Sequence, residues 1–161
     1  MALALEEKLR DLMRERRLTL ASAESCTGGL VSHRITNVSG SSEFFPGGLV
    51  TYSYESKVRL LEVSWETLNE HGAVSEATVM AMARGARKLF GTDISVSVTG
   101  IAGPTGGTAE KPVGTTWVGL SAVDGEWARH FLWEGDRERI KLQSSDAALQ
   151  FVIDYLEGKL A

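Results

Sequence analysis

The chain has one cysteine, three prolines and three histidines, and its charge balance leans acidic. Each of these shortages closes off a class of protein. A single cysteine, Cys26, cannot form an intrachain disulfide, which fits a reducing cytoplasm. Cys26, His33, His71 and His130 show no metal-ligand spacing, so a structural zinc site is not expected, while the spacing leaves a carboxylate magnesium site open. With 17 Lys and Arg against 21 Asp and Glu, the formal net charge of -4 provides no basic face, and no nucleic-acid partner is expected. No apolar run approaches the roughly 20 residues needed to cross a bilayer. Residues Met1 to Arg17 mix acids and bases instead of carrying the apolar core of a secretory signal. No membrane partner follows, and a cytoplasmic location does. Linkers, repeats and low-complexity tracts are also missing, so residues 1–161 read as one domain large enough to bury its own core.

What is present is a regular alternation. Leu5, Leu9, Leu12 and Met13 fall on one face of an opening helix over Leu3–Arg16. A buried strand follows at Thr19–Ala23, then a helix over Gly28–Thr36 and turn chemistry at 37–42. A strand resumes over Phe44–Tyr52, interrupted by Pro46-Gly47-Gly48. Helix is expected over Lys57–Glu62, and a short turn capped by Ser64 toward Asn69. A long helix opens at Ser75-Glu76, buries Val79, Met82, Ala83, Ala86 and Leu89, and stops at Gly91. Asp93–Val98 reads as a strand rich in β-branched residues and leads into a glycine-rich loop, 100–114. Two further strands, Thr115–Val123 and Trp127–Trp133, meet at the hairpin signal Asp124-Gly125. A closing helix over Asp136–Leu156 has Ile140, Ala147, Leu149 and Ile153 as its buried positions. This order predicts a three-layer α/β/α sandwich with a mixed sheet, its ligand crevice off the carboxyl ends of the strands.

Three segments carry the chemistry. In Glu24-Ser25-Cys26-Thr27-Gly28-Gly29 a strand ending in hydroxyls and glycines turns straight into a helix, setting a nucleophile beside free backbone N–H groups. Read alone, the hexapeptide favours a helix cap with glycines for tight packing. Thr99 to Gly107 has four glycines in nine positions, which lets the backbone approach a ligand. It matches neither the P-loop nor the Gly-x-Gly-x-x-Gly dinucleotide pattern. Thr51 to Lys57 joins a strand to a helix, and a desolvated lysine there can take a serine proton without any histidine, with a tyrosine assisting. Glu24 is placed to pair with Lys57, and Arg137, at the start of the last helix, to meet an anion. Cys26 is the rival nucleophile. The three histidines read as structural or surface residues.

Taken in order, these motifs closely resemble the CinA C-terminal domain family, which includes stand-alone nicotinamide mononucleotide deamidases. The matching segments are 23–29 (Ala-Glu-Ser-Cys-Thr-Gly-Gly), 48–53, Lys57, 71–76 (His-Gly-Ala-Val-Ser-Glu), 99–104, 111–115 and Gly135-Asp136-Arg137. They span nearly the whole chain, and only Tyr54 is left without an assignment. The resemblance implies hydrolysis of the carboxamide of nicotinamide mononucleotide to nicotinic acid mononucleotide and ammonia, with no metal and no cofactor. It implies Ser25 as nucleophile, Lys57 as base, Tyr52 assisting proton movement, and Thr99 and Arg137 in the substrate site. It also implies a homo-oligomer, and a domain found elsewhere fused behind a larger molybdopterin-binding-like one. Physical reasoning adds backbone donors at Cys26, Thr27, Gly28 and Gly29 as an oxyanion hole, and the loop containing Gly100 and Gly103 as host for ribose or phosphate. Two other readings stay open: a non-catalytic nucleotide-binding module linked to competence or DNA damage, and a hydrolase using Cys26.

Overall fold

The computed structural model describes residues 3–160; Met1, Ala2 and Ala161 lie outside the described residues. Helix α1 (Leu5–Arg16) buries Leu9 and Met13, with Glu6 and Glu7 at its positive end and Arg14 and Arg16 at its negative end. Strand β1 (Leu20–Glu24) is buried along its whole length, and α2 (Leu30–Thr36) follows the turn at its end. Strand β2 is shorter than the sequence predicts, Gly47–Val50, because Ser41–Glu43 form a 3₁₀ turn that folds Phe44 and Phe45 into the core. Helix α3 (Tyr54–Leu61) starts earlier than expected, since the Ser53 side chain accepts the Ser56 N–H and sets the first turn. The turn after Ser64 is a true helix, α4 (Trp65–His71), capped in the same way by Ser64.

Helix α5 (Glu76–Phe90) is followed by β3 (Ile94–Gly100), then the β4 (Thr115–Ala122) and β5 (Gly125–Leu132) hairpin, then α6 (Arg137–Leu156). The five strands form one sheet in the order β2-β1-β3-β4-β5. β2, β1 and β3 are parallel, β4 pairs antiparallel with β3, and β5 pairs antiparallel with β4. The chain is therefore an α/β/α sandwich on a mixed sheet. Leu20, Ile94, Val96, Val98, Val118 and Leu120 meet α1, α2 and α6 on one face. The opposite face is built from small residues, which lets α5 approach closely: Ser95 and Ser97 donate their hydroxyls to the Ala83 and Val79 carbonyls. Ile140, Leu149 and Ile153 are buried as expected, but Leu89 of α5 is exposed and Ala147 of α6 only partly covered. Among the described residues no helix is long and apolar enough to cross a membrane.

Candidate active site

The parallel half of the sheet brings three chain turns to one edge: β1 ends at Glu24, β2 at Val50 and β3 at Gly100. The Ser25 N–H extends the ladder by donating to the Val98 carbonyl, and Thr51 N–H donates to the Glu24 carbonyl. These bonds hold the three turns in register. Between them lies a cavity of about 180 Å³ lined by Ser25, Cys26, Tyr52, Lys57, Ala73, Val74, Thr99, Gly100, Ala102 and Arg137. A side chain at Gly100 would meet Thr116 Oγ1 at 2.8 Å and the Thr115 carbonyl at 2.9 Å, so glycine is what lets β3 close on β4 there.

Lys57 is the unusual member. It stands at the fourth position of α3, is fully buried, and faces no carboxylate within ion-pair distance among the described residues. Its Nζ donates to the Thr51 carbonyl at 2.6 Å and lies 3.0 Å from Ser25 Oγ, with the Tyr52 carbonyl farther off at 3.5 Å. Burial, opposed in part by the Cys26 thiol, pushes the Lys57 ammonium down to about 8. A buried amine that loses its proton readily and touches a serine oxygen can act as that serine's base. Cys26 is no equal rival. Its thiol lines the same cavity, but burial, with help from the Glu24 charge, pushes it up to about 12.

The pairing expected between Glu24 and Lys57 does not form. The Glu24 carboxylate turns to the other side of the strand end and accepts from Thr27 Oγ1 (2.7 Å), Val31 N (2.8 Å), Ser32 N (3.0 Å) and Ser32 Oγ (2.9 Å). Fully buried, it caps the start of α2 and fixes the 25–29 turn from beneath. The side chains of Glu24 and Thr27, both expected in the substrate site, are thus spent on each other. Gly28 and Gly29 are also not on the cavity wall; they supply the positive φ (59° and 105°) that the turn needs. What the turn does offer is the Thr27 N–H, with no acceptor among the described residues, beside the Cys26 N–H, which faces its own thiol.

The Tyr52 phenol lines the cavity and accepts from Arg137 Nη2 at 3.0 Å, while the Tyr52 carbonyl lies 3.5 Å from Lys57 Nζ. Arg137 also donates Nη1 to the Gly103 carbonyl at 2.7 Å, so it bridges the glycine-rich loop and the β2–α3 junction over the cavity mouth. Thr99 donates its hydroxyl to the Ala73 carbonyl at 2.8 Å, and Tyr54 Oη accepts the Ala73 N–H at 3.3 Å. Those two bonds, with Lys111 Nζ on the His71 carbonyl (2.7 Å), hold the 71–75 segment as a wall, which gives Tyr54 a place in the site. Sequence reasoning missed Ala73, Val74 and Ala102 as lining residues. Being small and apolar, they carry no chemical signal of their own.

The family profile described as the CinA C-terminal domain matches residues 2–156. A CinA-like protein of Geotalea uraniireducens (strain Rf4) is 53% identical over 141 residues, covering 88% of this chain and 34% of that protein. A CinA-like protein of Chlorobaculum tepidum is 55% identical over 152 residues, 91% of this chain and 36% of that protein. The chain thus spans about a third of the length of the curated relatives it matches. Among solved structures, the competence damage-inducible protein A from Klebsiella pneumoniae superposes with a TM-score of 0.92 at 34% identity, covering 95% of each chain. The competence/damage inducible protein from Agrobacterium tumefaciens superposes at 0.88 with 37% identity, covering 98% of this chain and 99% of that one.

Proposed function

The chain belongs to the CinA C-terminal domain family, and we propose that it is an amidohydrolase that converts nicotinamide mononucleotide to nicotinic acid mononucleotide and ammonia. The observation that carries this reading is Lys57 Nζ, buried without a counter-ion, 3.0 Å from Ser25 Oγ. In its neutral form the amine donates to the Thr51 carbonyl and turns its lone pair to the serine hydroxyl. Lys57 removes the Ser25 proton as Oγ attacks the carboxamide carbon. The oxyanion that forms is met by the Cys26 and Thr27 amides of the turn, of which Thr27 N–H has no acceptor among the described residues. Lys57 then hands its proton to the departing nitrogen, which leaves as ammonia, and the ester on Ser25 is hydrolysed by a water that Lys57 deprotonates in turn. Ala73, Val74 and Ala102 give the flat ring an apolar wall. Arg137 and Tyr52, bonded to each other, close the rim.

Ammonia release from nicotinamide mononucleotide tests the proposal. Ser25→Ala should lower turnover by about 10⁴-fold or more with an unchanged melting temperature, since only the oxyanion donors and binding remain. Near-normal turnover in that variant would reject the serine mechanism. Tight nucleotide binding by the unmodified protein without ammonia release would favour the non-catalytic module instead.

A further inference from the structure

We propose that Lys141 forms, with Arg137, the subsite for the phosphate of a mononucleotide, an inference that rests on the nucleotide reading of the cavity. Lys141 lies one turn after Arg137 on α6, and residues four apart share a helix face, so the two cations stand on the same face of α6, of which Arg137 lines the cavity. Its ammonium lies against the 25–29 turn: a Cβ built on Gly28 would sit 3.6 Å from Lys141 Nζ. The Gly28 N–H bonds the Ser25 carbonyl at 3.1 Å, so this turn carries the nucleophile at one end and the lysine contact at the other. The Lys141 charge is also felt at the Cys26 thiol, inside the cavity.

Two further observations separate Lys141 from an ordinary surface lysine. It is half-buried, yet it makes no hydrogen bond or ion pair among the described residues. The buried Glu24 carboxylate at the start of the same turn already has its four donors and forms no ion pair with Lys141. By contrast, Arg137 is already committed to two neutral oxygens, the Gly103 carbonyl and the Tyr52 phenol. Size argues the same way. The cavity, about 180 Å³, falls below the roughly 300–1,000 Å³ of ordinary small-molecule sites. It can therefore hold a ring and its carboxamide while ribose and phosphate cross the rim. Among the described residues Lys141, beside the 25–29 turn, has no hydrogen-bond or ion-pair partner, whereas the loop residues 104–110 are exposed and Gly103 offers Arg137 a carbonyl.

The test compares kcat/KM for nicotinamide mononucleotide and for its riboside in the unmodified protein, Lys141→Met, Lys141→Arg and Arg137→Met. Losing a charge-assisted contact should cut the preference for the mononucleotide by about ten- to a hundredfold in Lys141→Met, mainly through KM. Lys141→Arg should keep most of it. A preference within about twofold of the unmodified protein in Lys141→Met, with a collapse in Arg137→Met, overturns the assignment. If neither substrate is hydrolysed, calorimetric binding of nicotinic acid mononucleotide and its riboside decides. A phosphate-dependent affinity lost in Lys141→Met keeps the subsite while the deamidation reading falls. Equal affinity for the two compounds removes the subsite.

Discussion

On the α2 side of Ser25 a buried carboxylate, Glu24, is met by four donors; on the α3 side a buried amine, Lys57, is met by two carbonyls, a serine oxygen and no anion. Both side chains are fully buried and both flank the same short turn. The carboxylate has become part of the framework: its charge is solvated by hydroxyls and the first amides of a helix, so it holds the turn and has nothing left for a ligand. The amine is left under-solvated, so its charged form is disfavoured and its proton is loosely held. Stability is built on one side of Ser25 and reactivity on the other.

Substitution should separate the two sides, with the largest effect at Lys57. Lys57→Met should lower turnover by about 10²- to 10⁴-fold, the range of a lost general base. It should leave the melting temperature unchanged or raised, because an uncompensated buried charge is replaced by apolar volume. Glu24→Ala should do the reverse to the fold, costing about 3–5 kcal/mol as buried donors lose their acceptor. Thermal melts of the two variants side by side check this; a Lys57→Met protein that melts lower than Glu24→Ala would erase the distinction.

A subtler difference lies in pH. The Lys57 pKa is depressed in the fold, so between about 8 and its ordinary 10.5 the unfolded chain holds a proton that the folded one has lost. Stability should therefore rise with pH across that window relative to Lys57→Met, and the two proteins should run parallel below about 8. Urea unfolding at both ends of the window measures it. The smallest effect is expected at Cys26. Cys26→Ser should keep turnover within about threefold, since a thiol pushed up to about 12 contributes little thiolate. A dead Cys26→Ser would transfer the nucleophile's role to sulfur.

Much of this arrangement was legible in the sequence because it is local. The strand-turn-helix at Ser25, the hairpin at Asp124-Gly125 and the caps at Ser64 and Ser75 depend on residues near in sequence, and the structure has them there. The early start of α3 is also local, set by the Ser53 side chain accepting the Ser56 N–H. The directions of Glu24 and Tyr52 were not legible. A carboxylate next to a serine can serve a lysine or a helix start, and only packing decides that Val31, Ser32 and Thr27 reach it first. Tyr52 is drawn off by Arg137, 85 positions away in the chain. Likewise Ala73 enters the cavity through bonds to Tyr54 and Thr99 that no spacing announces.

The most direct test of Lys57 as the base is the pH dependence of kcat/KM for nicotinamide mononucleotide. With Lys57 neutral as the reactive form, the rate should climb about tenfold per pH unit on the acidic side and level off with a midpoint of about 8. A profile flat from pH 6 to 9, or one whose midpoint lies near 6, would contradict the assignment of the proton to Lys57.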